Sequence, residues 1–250
     1  MELRAKYLYT SLLFFFLLGM IACRKDTDKE QSRLKPIAVY TLGIPETSGL
    51  CWFGNRGSLL TVSDSLGKVF EISKEGIIMD TLAYTGGNPE GIAYNDKTNT
   101  ILVLEENKKE IVEIDTLGNE IRTIELNIPV QIAKHGPEGL AIDTATQTLF
   151  VLREKYPGTI YRYTYEGHVT DSVYIDFASD FSGMYYDQEG SFFWIVSDES
   201  KMVARCNPSG FVLESWSLDF NKGEGIAIDN KERRIYIVTD SDNQLYIYSY

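Results

Sequence analysis

The feature that most constrains the fold is a sequence unit that occurs five times along the 250-residue chain. Each copy begins with a short motif around one glycine, such as PEGIA, PEGLA or GEGIA. The five glycines are Gly49, Gly91, Gly139, Gly183 and Gly225, at intervals of 42, 48, 44 and 42 residues. Periods of about 40–50 residues are typical of β-propeller blades.

Within each unit the hydrophobic pattern predicts four strands. Two nearly continuous apolar runs follow the glycine and are separated by a polar turn, for example NDKTNT in the second unit. A third strand and then a strand of alternating apolar and polar residues complete the unit. This gradient is expected when the inner strands of a blade are buried on both faces and the outer strands on one.

The fifth unit stops at Tyr250, directly after its third strand. The missing fourth strand is available as PIAVYTL, from Pro36 to Leu42. Its addition to the last blade would close the ring and protect the sheet edges. The sequence therefore predicts an all-β fold over residues 36–250: a five-bladed β-propeller of four-stranded blades, closed by an N-terminal strand that joins the last blade.

The unit resembles the NHL repeat, most clearly over residues 222–248 (KGEGIAIDNKERRIYIVTDSDNQLYIY). The order of the unit starts, SGL, PEGIA, PEGLA, SGM and EGIA, is similar to that of the SdiA-regulated (YjiK-like) family of bacterial β-propeller proteins. The resemblance covers about residues 36–250. It implies a membrane-associated propeller of the bacterial envelope and no established reaction.

The N-terminus has the features of an export signal. A basic start with Arg4 and Lys6 is followed by an apolar run from Tyr7 to Ala22. Such a run with small residues at its end is typical of a signal peptide, and the ending Ile-Ala-Cys resembles a bacterial lipobox. We therefore expect a signal peptide over residues 1–22 and lipidation of Cys23. The alternative is an uncleaved anchor, for which the run is short.

Residues 24–35 contain a single apolar residue, Leu34. With so little to bury, residues 23–35 should form a flexible tether after the lipidated cysteine. The expected location is the bacterial cell envelope, with the propeller outside the cytoplasm and the membrane as a partner through the lipid anchor. Arg24, where an Asp would favour inner-membrane retention, slightly favours the outer membrane.

The net charge of −12 argues against a nucleic-acid partner, which requires clustered Lys and Arg. Cys51 and Cys206 both lie in apolar runs, which predicts buried free thiols.

Two rings of polar side chains should surround one mouth of the central channel. The residue before the repeated glycine is Glu90, Glu138 or Glu224 in three blades and Ser48 or Ser182 in the others. Two residues before these serines stand Glu46 and Asp180. The acids that end the second strands are Asp64, Glu106, Glu154, Asp198 and Asp240.

Two interpretations of these acids remain open. They could cap backbone amides and so hold the blades together. Alternatively, a divalent cation such as Ca²⁺ could bind the carboxylates that start the blades. The members of that metal set are Glu46, Glu90, Glu138, Asp180 and Glu224.

Three basic residues interrupt the repeat near the third blade: Lys134, His135 and Arg153. Other blades carry Ser, Glu or Thr at the position of Arg153. We expect the three residues at the acidic mouth, where they would either neutralise neighbouring carboxylates or contact an anionic group of a ligand.

No catalytic motif is present, and no catalytic residue is predicted. The leading hypothesis is a binding module that presents one face of the propeller to a protein, a glycan or a small ligand. The rival is a metal-dependent hydrolase, similar to a lactonase or esterase, that uses the acidic ring at the channel mouth.

Overall fold

The computed structural model describes residues 32–128, 136–155 and 157–250. The predicted signal peptide, Cys23, Lys134 and His135 lie outside these described residues. Within the described ranges, no helix is long and apolar enough to cross a membrane.

The described residues form strands that group into five sheets. The strands that precede the first blade are β1 (Ser32–Arg33) and β2 (Pro36–Thr41). Blade 1 consists of β3 (Thr47–Phe53), β4 (Ser58–Ser63), β5 (Lys68–Ile72) and β6 (Ile78–Thr81). Blade 2 consists of β7 (Pro89–Asn95), β8 (Thr100–Glu105), β9 (Glu110–Ile114) and β10 (Glu120–Glu125). Blade 3 consists of β11 (Pro137–Asp143), β12 (Thr148–Arg153), β13 (Gly158–Tyr163) and β14 (Val169–Ile175). Blade 4 consists of β15 (Gly183–Asp187), β16 (Phe192–Ser197), β17 (Met202–Cys206) and β18 (Val212–Ser217). Blade 5 consists of β19 (Gly223–Asp229), β20 (Arg234–Thr239) and β21 (Gln244–Ser249), completed by β2.

The blades close into a ring around their inner strands. Each inner strand contacts the inner strands of both neighbouring blades, and β19 of the last blade contacts β3 of the first. In blade 5, β2 pairs antiparallel with β21, with Val39 opposite Tyr246. The predicted five-bladed propeller and its closure by the N-terminal strand are confirmed.

In the described part of the chain, the hydrophobic core consists of five clusters, one between each pair of adjacent blades. Val62 and Val103, both fully buried, join blades 1 and 2. Ile44 and Val238 join blades 1 and 5 across the closure. Burial of one such side chain stabilises the folded state by roughly 1.5–3 kcal/mol. The contacts between blades are therefore a main source of the stability of the ring.

Burial falls from the axis outwards, as the hydrophobic pattern predicts. Every residue of β4 is buried, whereas every residue of the outermost strand β6 is exposed. Cys51 and Cys206 are buried free thiols, as predicted.

The repeated glycines permit the inner strands to approach one another. A Cβ atom on Gly49 would lie 2.7 Å from the carbonyl oxygen of Glu90, and one on Gly225 would lie 2.3 Å from that of Ser48. Real Cβ atoms do not approach backbone this closely. Each unit therefore needs a glycine where its inner strand meets the next blade.

The predicted tether does not extend to Lys35. The short strand β1 pairs in parallel with β18 at the outer edge of blade 4, with Ser32 opposite Trp216. Leu34 is 7% exposed and packs in the cluster between blades 4 and 5. Because this single apolar residue finds a buried site, residues 32–34 belong to the folded body.

Candidate functional site

The glutamates that precede the repeated glycines lie in β-bulges. In blade 2 the register shifts between Pro89 and Gly91, so Glu90 is the extra residue on β7. Glu138 is the extra residue on β11 in the same way. A bulge interrupts the ladder and redirects a side chain. The local backbone thus explains why these carboxyl groups point to the axis rather than into the space between blades.

The side chains at this end of the channel line a cavity of about 200 Å³. We call it the acidic mouth, because nine carboxylic residues and two lysines contribute to its wall. The residues that line it are Ser48, Asp64, Glu90, Glu138, Glu154, Lys155, Asp180, Ser182, Asp198, Glu199, Lys222, Glu224 and Asp240.

The three glutamates of the inner strands are difficult to ionise. Burial raises the pKa of Glu90 to about 8; a hydrogen bond from Ser48 lowers it, and the charge of Asp64 raises it further. Burial also raises the pKa of Glu224 to about 7, against the lowering effect of Lys222. The pKa of Glu138 is raised well above its usual value, first by burial and then by the charge of Glu90.

The carboxyl groups farther from the axis are less buried. Burial raises the pKa of Asp64, and the neighbouring Glu46 adds to the increase. Burial also raises the pKa of Asp240, while Lys222 lowers it. Among the described residues, the acidic mouth therefore has nine carboxyl groups and two lysines to neutralise them.

Two lysines at the rim hold some of these acids. The Nζ atom of Lys155 lies 2.9 Å from Glu199 and 3.3 Å from Glu154. The Nζ atom of Lys222 lies 3.5 Å from Asp198. Burial lowers the pKa of Lys222, but the charges of Asp198 and Glu224 outweigh this effect and raise it. Both lysines thus remain cationic, and both lie on the side of blades 3 to 5.

Some of the predicted acids accept hydrogen bonds from backbone amides. Asp180 is 3% exposed and accepts hydrogen bonds from the hydroxyl of Ser197 and the amide of Glu199 (3.0 Å). Glu106 accepts from Asn88 Nδ2 at 2.8 Å and from the Gly136 amide at 3.1 Å. These contacts agree with the capping interpretation.

Two of the predicted acids lie outside the wall of the acidic mouth. Glu46 is exposed, and its backbone has a φ of 46°. Glu106 is held between Asn88 and Gly136, which flank blade 2, by the hydrogen bonds just described. The wall therefore includes Glu90, Glu138, Asp180 and Glu224 from the expected metal set, and every predicted second-strand acid except Glu106.

Arg153 is not among the residues that line the acidic mouth, where it was expected. It is 5% exposed, and its Nη2 atom has no hydrogen-bond partner among the described residues. Side chains alternate between the two faces of β12, so Arg153 is on the same face as Leu149 and Val151, which pack between blades 2 and 3. The equivalent residue of blade 2 is Glu105. It accepts hydrogen bonds from the backbone amides of Gly87 and Asn88, in the connection that leads into blade 2.

Lys155, Lys222 and Glu199 are the residues of the mouth that the sequence analysis missed. Lys222 stands two residues before Glu224, at the position of Glu46 in blade 1, and shares its positive φ (59°). Lys155 follows directly after a predicted mouth acid. Their positions beside the two acid rings were the available signal.

The geometry does not supply a metal-ligand set in the described residues. No three or more His, Cys, Asp or Glu side chains there are arranged so that they could hold a metal ion. His168, the one histidine in the described ranges, is exposed in the turn between β13 and β14. A metal-dependent hydrolase needs such a donor set, and the described residues do not present one.

Comparisons with solved structures agree with the fold. The structure is similar to a glutaminyl cyclase from Myxococcus xanthus, with a TM-score of 0.69 and 15% identity over 88% of this chain and 97% of that chain. It is also similar to a gluconolactonase from Xanthomonas campestris, with a TM-score of 0.60 and 14% identity over 89% of this chain and 95% of that chain. At these identities the likeness shows the fold alone.

A comparison with protein-family models gives a match over most of the chain. The SdiA-regulated family model matches residues 31–249, which include all five blades.

Proposed function

The chain belongs to the SdiA-regulated family, and we propose that it is a lipid-anchored binding module of the cell envelope that takes a cationic group of its ligand into the acidic mouth. The proposal rests on the pair of inner-strand glutamates Glu90 and Glu138, with which neither rim lysine forms a salt bridge among the described residues. Glu90 and Glu138 are held towards one cavity by bulges of the backbone, while the two rim lysines pair with other acids.

A cationic ligand would offset the electrostatic repulsion between these carboxyl groups. Two unit charges 4 Å apart interact by about 4 kcal/mol at an effective dielectric of 20. Buried carboxyl groups with raised pKa values avoid mutual repulsion by remaining protonated. An ammonium or guanidinium group between them would favour their ionised form. The attraction between the cation and the carboxylates would then contribute to the binding free energy.

The size of the mouth limits the ligand. A cavity of about 200 Å³ is smaller than the usual site for a drug-sized molecule, which begins at about 300 Å³. It admits one polyamine segment or the end of one lysine or arginine side chain. A basic peptide or a small polyamine is therefore the ligand class we propose.

Calorimetric titration with spermidine tests the proposal. We expect saturable binding to the folded body, weakened at least tenfold in the double variant Glu90→Gln/Glu138→Gln. The matched control is Glu120→Gln/Glu125→Gln, which removes two carboxyl groups from the exposed outer strand of blade 2. Equal weakening by both variants would mean that only net charge matters, and it would overturn a specific site.

The anchor and the location are part of the same proposal. Cys23 would be lipidated after removal of residues 1–22, and two or more acyl chains hold a protein stably at a membrane. In a bacterial host, the wild type should fractionate with membranes, and preferably with the outer membrane. Cys23→Ala should release the protein. Retention of that variant in the membrane would favour an uncleaved apolar anchor.

A further inference from the structure

The opposite end of the channel contains a second cavity, also of about 200 Å³. Between the two cavities, the ring of glycines leaves a throat of about 10 Å³, which is room for about one water molecule at most. The two ends are therefore separate sites. The second cavity, which we call the aromatic funnel, differs from the acidic mouth in its chemistry.

Aromatic side chains form much of the funnel wall, and small side chains form part of its lining near the axis. The rings belong to Trp52, Tyr94, Tyr185 and Tyr186. Near the axis the blades contribute small residues two positions after the repeated glycine, Cys51, Ala93 and Ala141. Flat walls around a shallow space of this kind suit a planar ring.

Tyr185 breaks the repeat within the funnel. The other four blades carry Cys51, Ala93, Ala141 or Ala227 at the equivalent position. No hydrogen-bond partner for the Tyr185 hydroxyl is present among the described residues. Burial raises its pKa, and the charge of Asp187 adds to the increase, so the hydroxyl stays protonated. A residue that departs from the repeat is a better indicator of a specific site than one present in every blade.

We infer that the aromatic funnel binds a small, neutral, single-ring phenol. Its ring packs between the aromatic walls, and its hydroxyl forms a hydrogen bond with that of Tyr185. The volume supports a single ring, because an apolar cavity of about 150 Å³ already accepts benzene. A methyl or hydroxyl substituent would occupy the remainder. The exposed Asp96 at the rim and the charge of −12 oppose an anionic ligand.

The inference is independent of the proposed function of the acidic mouth. It uses no residue of that mouth, and the throat separates the two. The double variant Glu90→Gln/Glu138→Gln should therefore leave binding in the funnel unchanged, so failure of either proposal can be recognised separately.

The test is a titration of the full chain with p-cresol, followed by calorimetry and by ligand-observed NMR. We expect saturable binding with one site, and no binding of benzoate, which has a similar ring but is anionic. Tyr185→Phe should weaken p-cresol binding about fivefold, which corresponds to the loss of one hydrogen bond of about 1 kcal/mol. Tyr174→Phe, on the exposed outer strand of blade 3, is the matched control and should have no effect.

A second variant tests the space itself. Ala93→Leu adds apolar volume near the axis and should abolish p-cresol binding without removing any polar group. The melting curve of Ala93→Leu shows whether this variant folds. If it does not fold, Tyr185→Phe provides the test. Absence of saturable p-cresol binding, equal binding of benzoate, or full p-cresol affinity in Tyr185→Phe would each overturn the inference.

Discussion

Glu138 lies beside Glu90 on the neighbouring inner strand, and after burial the charge of Glu90 is the strongest influence that raises the pKa of Glu138. Both residues occupy β-bulges, so neither can turn away from the axis without rebuilding its strand. The fold therefore holds two carboxyl groups together that would separate in the unfolded chain. This arrangement has consequences for stability and for binding.

The stability of the body should fall as the pH rises from about 5 to about 8. The folded state keeps protons on Glu90, with a pKa of about 8, and on Glu224, with a pKa of about 7, that the unfolded state releases near 4.5. Since the folded state binds more protons in this window, the free energy of unfolding decreases with pH. One pKa unit corresponds to about 1.4 kcal/mol, so we expect a loss of at least that size in denaturant titrations.

Groups with lowered pKa values do not change the pH dependence of stability between pH 5 and 8. The pKa values of Glu113 and Asp229 are lowered by their hydrogen bonds and ion pairs despite burial, so their stabilisation is lost only in more acidic solution. Glu138→Gln should reduce the pH dependence and should melt above the wild type at pH 8. A wild-type stability that is constant or rising from pH 5 to 8 would contradict the raised pKa values.

Calcium should leave the melting temperature of the chelator-treated protein unchanged. The described residues contain no set of three carboxylates suited to one ion, and ionic strength can be matched with sodium chloride to remove general screening. A rise of several degrees with Ca²⁺ alone would restore the metal interpretation of the acidic mouth.

Gly225→Ala should destabilise the body by at least about 2 kcal/mol, near the upper range for overpacked sites. The added Cβ would lie 2.3 Å from the Ser48 carbonyl oxygen and 2.5 Å from the Leu50 nitrogen, where blades 5 and 1 meet. The control is Gly43→Ala, whose nearest neighbour would be the tip of Ile78 at 3.6 Å. Equal denaturation midpoints for the two variants would show that the inner ring is looser than described.

Leu34→Ala should cost about 2 kcal/mol, the lower end for a buried leucine, because its side chain packs between blades 4 and 5. Lys35→Ala, at an exposed neighbouring position, should have no effect. If Leu34→Ala is also neutral in thermal denaturation, the tether begins after the cysteine and extends to β2 as the sequence pattern indicated.

The fold was predictable because a propeller repeats its hydrophobic pattern, and the position of each acid relative to a glycine fixes the end of the channel it occupies. The missing fourth strand of blade 5 could likewise be found by comparison with the other units. Strand β1 could not be, because two residues carry no periodicity and its pairing depends on the exposed edge of β18.

The side-chain directions at the mouth were harder to predict. Arg153 and Lys155 are two residues apart, but Arg153 ends β12 and does not line the mouth, whereas Lys155 lies beyond the strand and does. Glu46 and Lys222 occupy equivalent positions, yet only Lys222 lines the cavity. Such differences arise from strand ends and local backbone angles, which a single sequence does not specify.

The number of protons released when spermidine binds near pH 7 shows whether the inner-strand glutamates receive the cation. Calorimetric titrations in two buffers of different ionisation enthalpy measure this number. Because the inner-strand glutamates are substantially protonated at this pH and a cation favours their ionised form, we predict release of about one proton or more per ligand, and little release in Glu90→Gln/Glu138→Gln. Binding without proton release in the wild type would show that the cation does not bind at these glutamates.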